Sequence, residues 1–542
     1  MPSRYDHLTH DELTRLLEAR DRRDATRFGL VWEANEIERD RAINADFVAL
    51  DLDTELSTPE PAGGWRNLII EGDNFDALRH LRMTCAGKVK CIYIDPPYNT
   101  GNRDFVYNDR FVDVNDSWRH STWCEFMYQR LMLAKDLLTQ DGVIFVSIDD
   151  NEIFALGMLM NKVFGQHSFI ANCIWQKRYS RENRGSIGDA HEYILVYAPR
   201  PEVFQEKCGR IPLTETQAKV YKNLNNDPKG RWRAIPMTAQ GFRPNQMYEV
   251  VTPTGAVHRP PEGRCWGMTE APFLKLKEEG RIWFGKDGSS QPGVIRYLSE
   301  VDGVVPWTWW PHEEVGHTDE ARKEIREWLE TQTAFDTPKP VRLMERILQI
   351  ANGPDDIILD FFAGSGTTAH AVMKLNAEDG GKRRFILVSS TEATTAEPDK
   401  NLCRDVCAKR VRRVIEGYGD NAALGGDFAY LRCRRIAPGR LLDIEHAQVW
   451  TALQMIHLET LKPYDGSARA PFQSAGDEMA RLIYVPRFTK ELVPALRAAV
   501  ADCAAVALYS WQPETLRQHI RSGNVQHEAI PESLARKFGL NA

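Results

Sequence analysis

Short apolar runs that end in acids or turn formers alternate with helical patterns along most of this chain, and this alternation restricts its fold more than any other feature. The first run spans Asn67 to Glu71, the second Val89 to Ile94 and the third Gly142 to Ile148. Runs of this length are typical of buried strands, and strands that alternate with helices form parallel sheets covered by helices on both faces. The sequence therefore predicts an α/β fold with a doubly wound, largely parallel sheet.

Composition narrows the functional classes. The chain has 542 residues, of which 42% are hydrophobic and 27% are charged, as is ordinary for a soluble protein of several domains. No apolar stretch approaches the roughly 20 residues that span a bilayer, so no membrane partner is expected. The 10 cysteines form no CxxC pair, which predicts reduced thiols, a cytoplasmic protein and no metal site.

The run Val89 to Ile94 ends in Asp95-Pro96-Pro97-Tyr98. Two prolines fix φ and remove two N–H donors, so the carbonyls there cannot continue a strand ladder. The carboxylate of Asp95 and the carbonyl of Pro96 are suitable acceptors for the exocyclic amine of a nucleobase, and Tyr98 is suited to stack on its face. The alternative is a strand that simply ends in a proline-rich turn.

A glycine-rich loop follows a later buried run, Ile357 to Phe361. Its sequence is Phe362-Ala363-Gly364-Ser365-Gly366-Thr367. Glycines permit a tight turn and close approach of a ligand, and the N–H groups that begin the next helix favour an anion, so this is a strand-loop-helix cofactor site. Gly364, Gly366 and Ala369 also fit a dinucleotide fingerprint. A nicotinamide enzyme is therefore an alternative, although it gives no role to Asp95 and Tyr98.

Basic residues cluster between Lys177 and Arg264, although the whole chain has a net charge of -7. This segment contains 15 lysines and arginines against 9 acids, interleaved with aromatic residues. Such a segment suits phosphate contacts and base readout, which makes double-stranded DNA the expected partner. The candidate contacts are Arg231, Arg233 and Arg243. An insertion that packs on its own tryptophans is the alternative.

These motifs resemble those of a known family. The segment Asp95 to Tyr98 resembles the catalytic motif of DNA amino-methyltransferases, and the longer run through Phe105 and Tyr107 is similar to the methyltransferase subunits of type III restriction-modification systems. The glycine loop beside it resembles the S-adenosylmethionine motif of these enzymes. The catalytic half precedes the glycine loop, an order that resembles the circularly permuted β class, whose Rossmann-like sheet nevertheless closes into one domain.

The resemblance implies an S-adenosylmethionine-dependent DNA adenine-N6 methyltransferase in which Asp95, Pro96, Pro97 and Tyr98 are catalytic. It implies cofactor-binding roles for Asp73, Lys339, Pro340, Asp360, Phe362, Gly364, Gly366, Thr367 and Glu392, and DNA or base contacts for Asn99, Phe105 and Tyr107. Helix capping is the alternative for Asp73, and a helix start signal is the alternative for Lys339 and Pro340. An N4-cytosine methyltransferase and a recognition subunit with vestigial methylation remain alternatives for the whole chain.

The predicted domains are an N-terminal helical extension at 1–65, the catalytic half at 66–199, a target-recognition domain at 200–335, the cofactor-binding half at 336–420 and a small C-terminal α/β appendix at 421–542. By resemblance, the appendix provides docking or dimer contacts, and a restriction endonuclease or helicase subunit is a candidate partner. The sequence does not identify the DNA sequence recognised.

Overall fold

The computed structural model describes residues 9–25, 46–100, 106–107, 110–111, 119–180, 187–329, 337–351, 353–394 and 397–539. The strands, in chain order, are β1 (Phe47–Asp53), β2 (Leu68–Glu71), β3 (Val89–Ile94), β4 (Val106–Tyr107), β5 (Arg110–Phe111), β6 (Leu138–Ile148), β7 (Phe169–Gln176), β8 (His191–Tyr197), β9 (Trp232–Pro236), β10 (Thr238–Gln240), β11 (Val250–Val251), β12 (Val257–His258), β13 (Arg264–Trp266), β14 (Ile282–Trp283), β15 (Gly293–Tyr297), β16 (Trp309–Trp310), β17 (Ile357–Asp360), β18 (Arg384–Ser389), β19 (Ala429–Ile436), β20 (Gln473–Gly476), β21 (Ala480–Val485), β22 (Ala505–Ser510) and β23 (Val525–Ala529).

The helices are α1 (His10–Ala25), α2 (Asn74–Cys85), α3 (Arg119–Leu137), α4 (Ile153–Phe164), α5 (Pro201–Lys207), α6 (Glu215–Ala218), α7 (Glu270–Glu278), α8 (His312–Val315), α9 (Thr318–Leu329), α10 (Val341–Ala351), α11 (Thr367–Asp379), α12 (Lys409–Glu416), α13 (His446–His457), α14 (Val493–Ala501), α15 (Pro513–His519) and α16 (Glu532–Phe538). None of the helices in these described ranges is long and apolar enough to cross a membrane.

A ten-stranded sheet in the order β1-β19-β2-β18-β17-β3-β6-β8-β7-β16 organises the larger unit, which comprises residues 1–209 and 307–542. Its central strands, from β19 to β6, all pair in parallel. The predicted parallel sheet is therefore confirmed. The two halves of the chain join where β17 lies directly beside β3, so one domain closes despite the order of its motifs.

Burial explains why these runs form strands. All six residues of β3 and all four of β17 are buried, as expected for central strands of a parallel sheet covered on both faces. The helix α2 begins where the Asp73 carboxylate accepts a hydrogen bond from the Phe75 N–H. Such a cap satisfies an amide that would otherwise lack a partner at the start of the helix. The strand ends and helix starts of the site are thus fixed by burial and capping.

The predicted domain boundaries at residues 65, 335 and 420 are wrong, because each places one strand of the large sheet in a different domain. β1 lies within the supposed helical extension and β19 within the supposed appendix, yet the two pair antiparallel at one edge of the sheet. β16 pairs with β7 at the other edge, so residues 307–329 belong to the larger unit. The inserted unit is therefore Arg210–Pro306 rather than 200–335.

The smaller unit, Arg210–Pro306, is built from short antiparallel pairings. Its three-stranded sheet has the order β14-β15-β9, and a separate core forms around Trp266 and Phe273. The residues that enter and leave the unit are held together, because Ile211 and Val304 exchange two backbone hydrogen bonds of 2.9 and 2.8 Å. The insertion is thus a compact body with its own apolar centre.

The C-terminal α/β appendix contains a four-stranded sheet in the order β20-β21-β22-β23. Its strands β21, β22 and β23 pair in parallel, as the alternation of apolar runs and helices predicts. Tyr484 and Tyr509 of this sheet belong to the same apolar cluster as Trp450 of α13 and Phe47 of β1. The appendix is therefore packed onto the edge of the larger unit where β1 lies.

Candidate active site

The turn after β3 lies at the carboxyl edge of the large sheet, where a hydrogen bond holds it in place. The indole Nε1 of Trp123 donates a 2.7 Å hydrogen bond to the Pro97 carbonyl, which ties the turn to α3. Among the described residues, none donates to the neighbouring Pro96 carbonyl. Pro97 thus positions the turn, and Pro96 presents an acceptor beside Asp95.

Asp95 and Tyr98 lie at the centre of a charged cluster. The Lys339 ammonium donates to Asp95 Oδ2 over 2.7 Å and to the Tyr98 hydroxyl over 3.0 Å. The Tyr98 hydroxyl oxygen is 2.8 Å from Asp95 Oδ1 and 2.9 Å from Glu192 Oε2. Lys339 also lies 5.1 Å from the centre of the Tyr98 ring, a cation–π distance. Side chains from three separate segments therefore converge on the Tyr98 hydroxyl.

Burial dominates the electrostatics of this cluster. It raises the pKa of Asp95, and the negative charge of Glu192 adds to that effect while Lys339 opposes it. The pKa of Tyr98 is raised well above its usual value by burial and by the carboxylates of Asp95 and Glu192. Burial would lower the pKa of Lys339, but the two carboxylates outweigh it and raise that pKa. Lys339 is therefore a permanent cation that favours the ionised form of Asp95.

The glycine loop follows the neighbouring strand, β17. Gly364 and Gly366 adopt φ values of 50° and 76°, a region that residues with side chains rarely occupy. A side chain at Gly366 would also crowd Cys407 and Val411, because its Cβ would lie 3.2 and 3.1 Å from their side chains. Both glycines are thus required by backbone geometry, and Gly366 also by close packing.

Asp360 holds this loop from below. Its side chain is buried and accepts hydrogen bonds from the Thr368 hydroxyl at 2.6 Å and the Phe362 N–H at 3.1 Å. Burial raises the pKa of Asp360 to about 7 despite these two bonds. The Thr367 side chain is likewise buried, and its hydroxyl accepts from Arg410 at 2.7 Å. Both side chains therefore position the loop.

The sequence profile of the DNA methylase family matches residues 89–394, more than half of the chain and all of the cluster described above. The chain belongs to the DNA methylase family. It is 37% identical over 418 residues to the type III restriction-modification enzyme StyLTI Mod subunit of Salmonella typhimurium, covering 71% of this chain and 63% of that protein. It is 32% identical over 385 residues to the type II methyltransferase M.KpnI of Klebsiella pneumoniae, covering 67% of this chain and 89% of that protein.

The chain spans less than two thirds of the length of the Mod subunits that it matches. For the type III restriction-modification enzyme EcoPI Mod subunit of Escherichia phage P1, identity is 33% and coverage is 60% of this chain and 58% of that protein. Among solved structures, the PvuII DNA methyltransferase (cytosine-N4-specific) covers 67% of this chain and 97% of its own at 12% identity and a TM-score of 0.33. That TM-score is too low to support an inference about this methylase.

Two acids with a predicted role in cofactor binding, Asp73 and Glu392, lie in different settings. Asp73 caps α2 and also accepts from Arg130 at 3.0 Å, with half of its side chain exposed. Asn74 donates a 2.9 Å hydrogen bond to the Phe361 carbonyl, which ties the turn after β2 to the glycine loop. Glu392 has a φ of 53° and pairs with Lys400 at 3.0 Å on an exposed loop. Asp73 is thus both a helix cap and a neighbour of the loop.

The structure separates the candidates for DNA contact. Asn99 is fully buried and donates to Glu152 Oε1 over 2.6 Å, and its contact with DNA stays a prediction. Phe105 lies outside the described residues, and Tyr107 belongs to the two-residue strand β4. Exposed residues on the inserted unit are Arg231, Arg233 and Arg243.

Sequence reasoning missed two acids of the site. Glu192 lies within the apolar run of β8 and reaches Tyr98, and a lone acid inside a buried strand is the signal that could have revealed it. Glu71 is the last residue of β2 and lies beside Ser389 of β18. It accepts a hydrogen bond from Asn401 at 2.8 Å. Glu71 lies at the end of its strand, whereas Glu392 lies on the loop beyond the end of β18.

Proposed function

We propose that this methylase transfers a methyl group from S-adenosylmethionine to N6 of adenine in a short sequence of double-stranded DNA. The observation that carries the proposal is the Asp95 carboxylate beside the Pro96 carbonyl at the edge of the sheet, one strand away from the glycine loop. The target base must leave the helix to reach such a buried carboxylate. The same acceptors disfavour thymine and guanine, because their carbonyl oxygens would be repelled by Asp95.

Several features of the structure suit S-adenosylmethionine. The helix α11 begins at Thr367 without a side-chain cap, so its first N–H groups are available to a ligand. The exposed part of the Asp73 carboxylate lies at the turn that Asn74 ties to the loop. Asp73, Phe362, Gly364 and the start of α11 would therefore hold the cofactor, with Lys339 and Pro340 in the preceding segment. When bound, the cofactor supplies an electrophilic methyl group.

Asp95 and Pro96 supply the acceptors for the amine. The lone pair of an adenine amine is delocalised into the ring, which makes it a poor nucleophile. Acceptors for its two N–H bonds favour a localised lone pair and stabilise the positive charge that develops on nitrogen. Lys339 favours the ionised carboxylate that this role requires, because it lies 2.7 Å from Asp95. Stacking on Tyr98 would offset part of the few kcal/mol lost when the base leaves the helix.

Similarity to Mod subunits extends the proposal to a biological role. We infer that the methylase acts in the cytoplasm within a restriction-modification or phage-defence system, with a restriction subunit as partner. The relatives that support this inference are named as Mod subunits of type III restriction-modification enzymes. The C-terminal sheet is the segment we assign to docking or homodimer contacts. Copurification of a restriction subunit, and its loss when residues 473–539 are removed, would test this assignment.

Methylation sequencing of plasmid DNA tests the activity. Cells that express the wild-type chain should carry N6-methyladenine in one short motif, and Asp95→Ala should erase the mark while cofactor binding is retained. Asp150→Ala is the matched control, because Asp150 is an acid at the end of the adjacent strand β6 that bonds Tyr193 instead of the cluster. N4-methylcytosine in wild-type DNA would refute the base assignment. Absence of any mark despite bound cofactor would favour a recognition subunit with vestigial methylation.

A further inference from the structure

The Tyr98 hydroxyl has one more hydrogen-bonding neighbour than its single proton can serve. Its oxygen is 2.8 Å from Asp95 Oδ1 and 2.9 Å from Glu192 Oε2, and it accepts from Lys339 at 3.0 Å. A hydroxyl donates one hydrogen bond and accepts up to two. Both carboxyl contacts are hydrogen bonds at once only if one of the carboxyls carries a proton. The cluster is therefore built to accommodate one proton beyond those present when Asp95 and Glu192 are ionised.

When ionised, Asp95 and Glu192 carry two negative charges against the one cation that both contact. The Lys339 ammonium faces both carboxylates, at 2.7 Å from Asp95 and 3.4 Å from Glu192. A second cation, Lys177, lies 3.4 Å from the other oxygen of Glu192 but is already paired with Asp189 at 2.8 Å. Two carboxyl groups that share one hydroxyl and one cation favour retention of a proton between them. Other titratable groups that face the cluster are Tyr93, Asp149 and Asp360.

Glu192 connects the cluster to an aqueous cavity. A cavity of about 330 Å³ is lined by Glu192 and Lys339 together with Lys177, Tyr179 and Asp319, whereas Asp95 and Tyr98 are not part of its lining. The lining is mainly polar, so the cavity is suited to hold water. A proton that reaches Glu192 can therefore leave for solvent in the cavity. The Asp95 side chain is 20% exposed, and a target base bound there would cover it, so a proton on Asp95 would then pass through the Tyr98 hydroxyl.

We propose that Asp95, Tyr98 and Glu192 form a relay that carries away the proton released when the amine is methylated. The inference rests on the proposed function and assigns a role to Glu192 within the same site. As methylation forms the nitrogen–carbon bond and leaves the electrons of the broken carbon–sulfur bond on sulfur, positive charge develops on the amine nitrogen, which holds two protons. One of these passes to Asp95 in the same step. As Asp95 gives it to the Tyr98 oxygen, the Tyr98 proton moves to Glu192 Oε2, and Glu192 releases a proton to water in the cavity.

Glu192→Gln tests the relay, because glutamine keeps the size and the hydrogen bond to Tyr98 but cannot take up a proton. The affinities for S-adenosylmethionine and DNA should remain those of the wild type. The single-turnover rate of methyl transfer near neutral pH should fall about tenfold or more, and the variant should become faster as the concentration of a small buffer base such as imidazole is raised. Tyr98→Phe, which keeps the ring and removes the bridge, should show the same dependence on buffer. Asp319→Asn is the control, since Asp319 lines the cavity outside the cluster.

Wild-type rates and no buffer dependence in Glu192→Gln would overturn the relay while the proposed function stands. A wild-type protein that binds cofactor and DNA but methylates nothing would refute the proposed function and the relay with it.

Discussion

Replacement of Asp360 by asparagine should make the protein more stable at alkaline pH. Asp360 is 3% exposed, and burial raises its pKa to about 7 from the ordinary 3.8 of an aspartate. Between these two pH values the folded chain holds a proton that the unfolded chain has lost, so the stability contributed by this group falls as the pH rises. Each pH unit corresponds to about 1.4 kcal/mol, and the full window therefore to about 4 kcal/mol.

Asparagine can occupy the site without losing its hydrogen bonds. Its oxygen can accept from the Phe362 N–H, and its amide can donate to the Thr368 hydroxyl oxygen, which is able to accept. The Thr368 hydrogen can then turn to the Met344 sulfur, which is 3.7 Å away. The asparagine side chain would be neutral at every pH, like the protonated aspartic acid. The Asp360→Asn protein should thus match the wild type below about pH 4, and its advantage in stability should grow until about pH 7 and stay constant above it.

Denaturant unfolding of both proteins at pH 5, 6, 7 and 8 measures this effect. The difference in unfolding free energy should grow with pH towards about 4 kcal/mol, an upper bound set by the pKa of Asp360. Asp355→Asn is the matched control, because Asp355 is exposed and lies just before the same strand. A difference between the Asp360→Asn protein and the wild type that stays constant from pH 5 to pH 8 would show that Asp360 titrates normally and would refute the reasoning.

Three further perturbations test the cofactor loop and the inserted unit. Gly364→Val should abolish S-adenosylmethionine binding in calorimetry while circular dichroism stays native, because its φ of 50° disfavours a branched side chain at the ligand's approach; unchanged affinity would show that the loop is only a turn. Exchange of 210–306 for the matching unit of another methylase should change the sequence methylated but not the base, and retention of the original sequence would place recognition elsewhere. Arg233 and Arg296 face each other across β9 and β15 and are both exposed, an arrangement that favours a shared phosphate. Arg233→Ala should therefore lower the salt dependence of DNA binding by about one counterion, whereas Arg259→Ala, which removes a partner of Glu249, should leave it unchanged.

Sequence patterns identified the centre of the fold because its strands are buried on both faces. The predicted bounds of Val89–Ile94 coincide with β3, and the predicted run that begins at Ile357 begins where β17 does. In a parallel sheet covered by helices, such strands are continuous apolar runs that end abruptly where polar groups begin. The apolar runs therefore located Asp95 and the glycine loop at strand ends, whereas the family resemblance implied that the two halves close into one sheet.

The edge strands could not be recognised in the same way. β1 and β19 pair with each other through charged side chains, as Asp51 bonds Arg434 at 2.8 Å and Asp53 bonds Arg432 at 2.6 Å. Each strand mixes apolar with charged residues and so lacks the continuous apolar run of a central strand, and its partner lies far away along the chain. Glu192 was missed for a related reason, since only the fold brings it to Tyr98.

The order of strands has a consequence for how the protein is made. β2 and β3 emerge early from the ribosome, but β18 and β17 separate them in the finished sheet. About 260 residues divide the end of β3 from the start of β17. Protein synthesis adds ~5–20 residues per second, so the edges of β2 and β3 that will pair with β18 and β17 stay unpaired for roughly 13–50 s. Chaperone binding to the first half of the nascent chain should therefore end only when residues 357–389 have emerged, a timing that ribosome profiling of chaperone-bound chains can record.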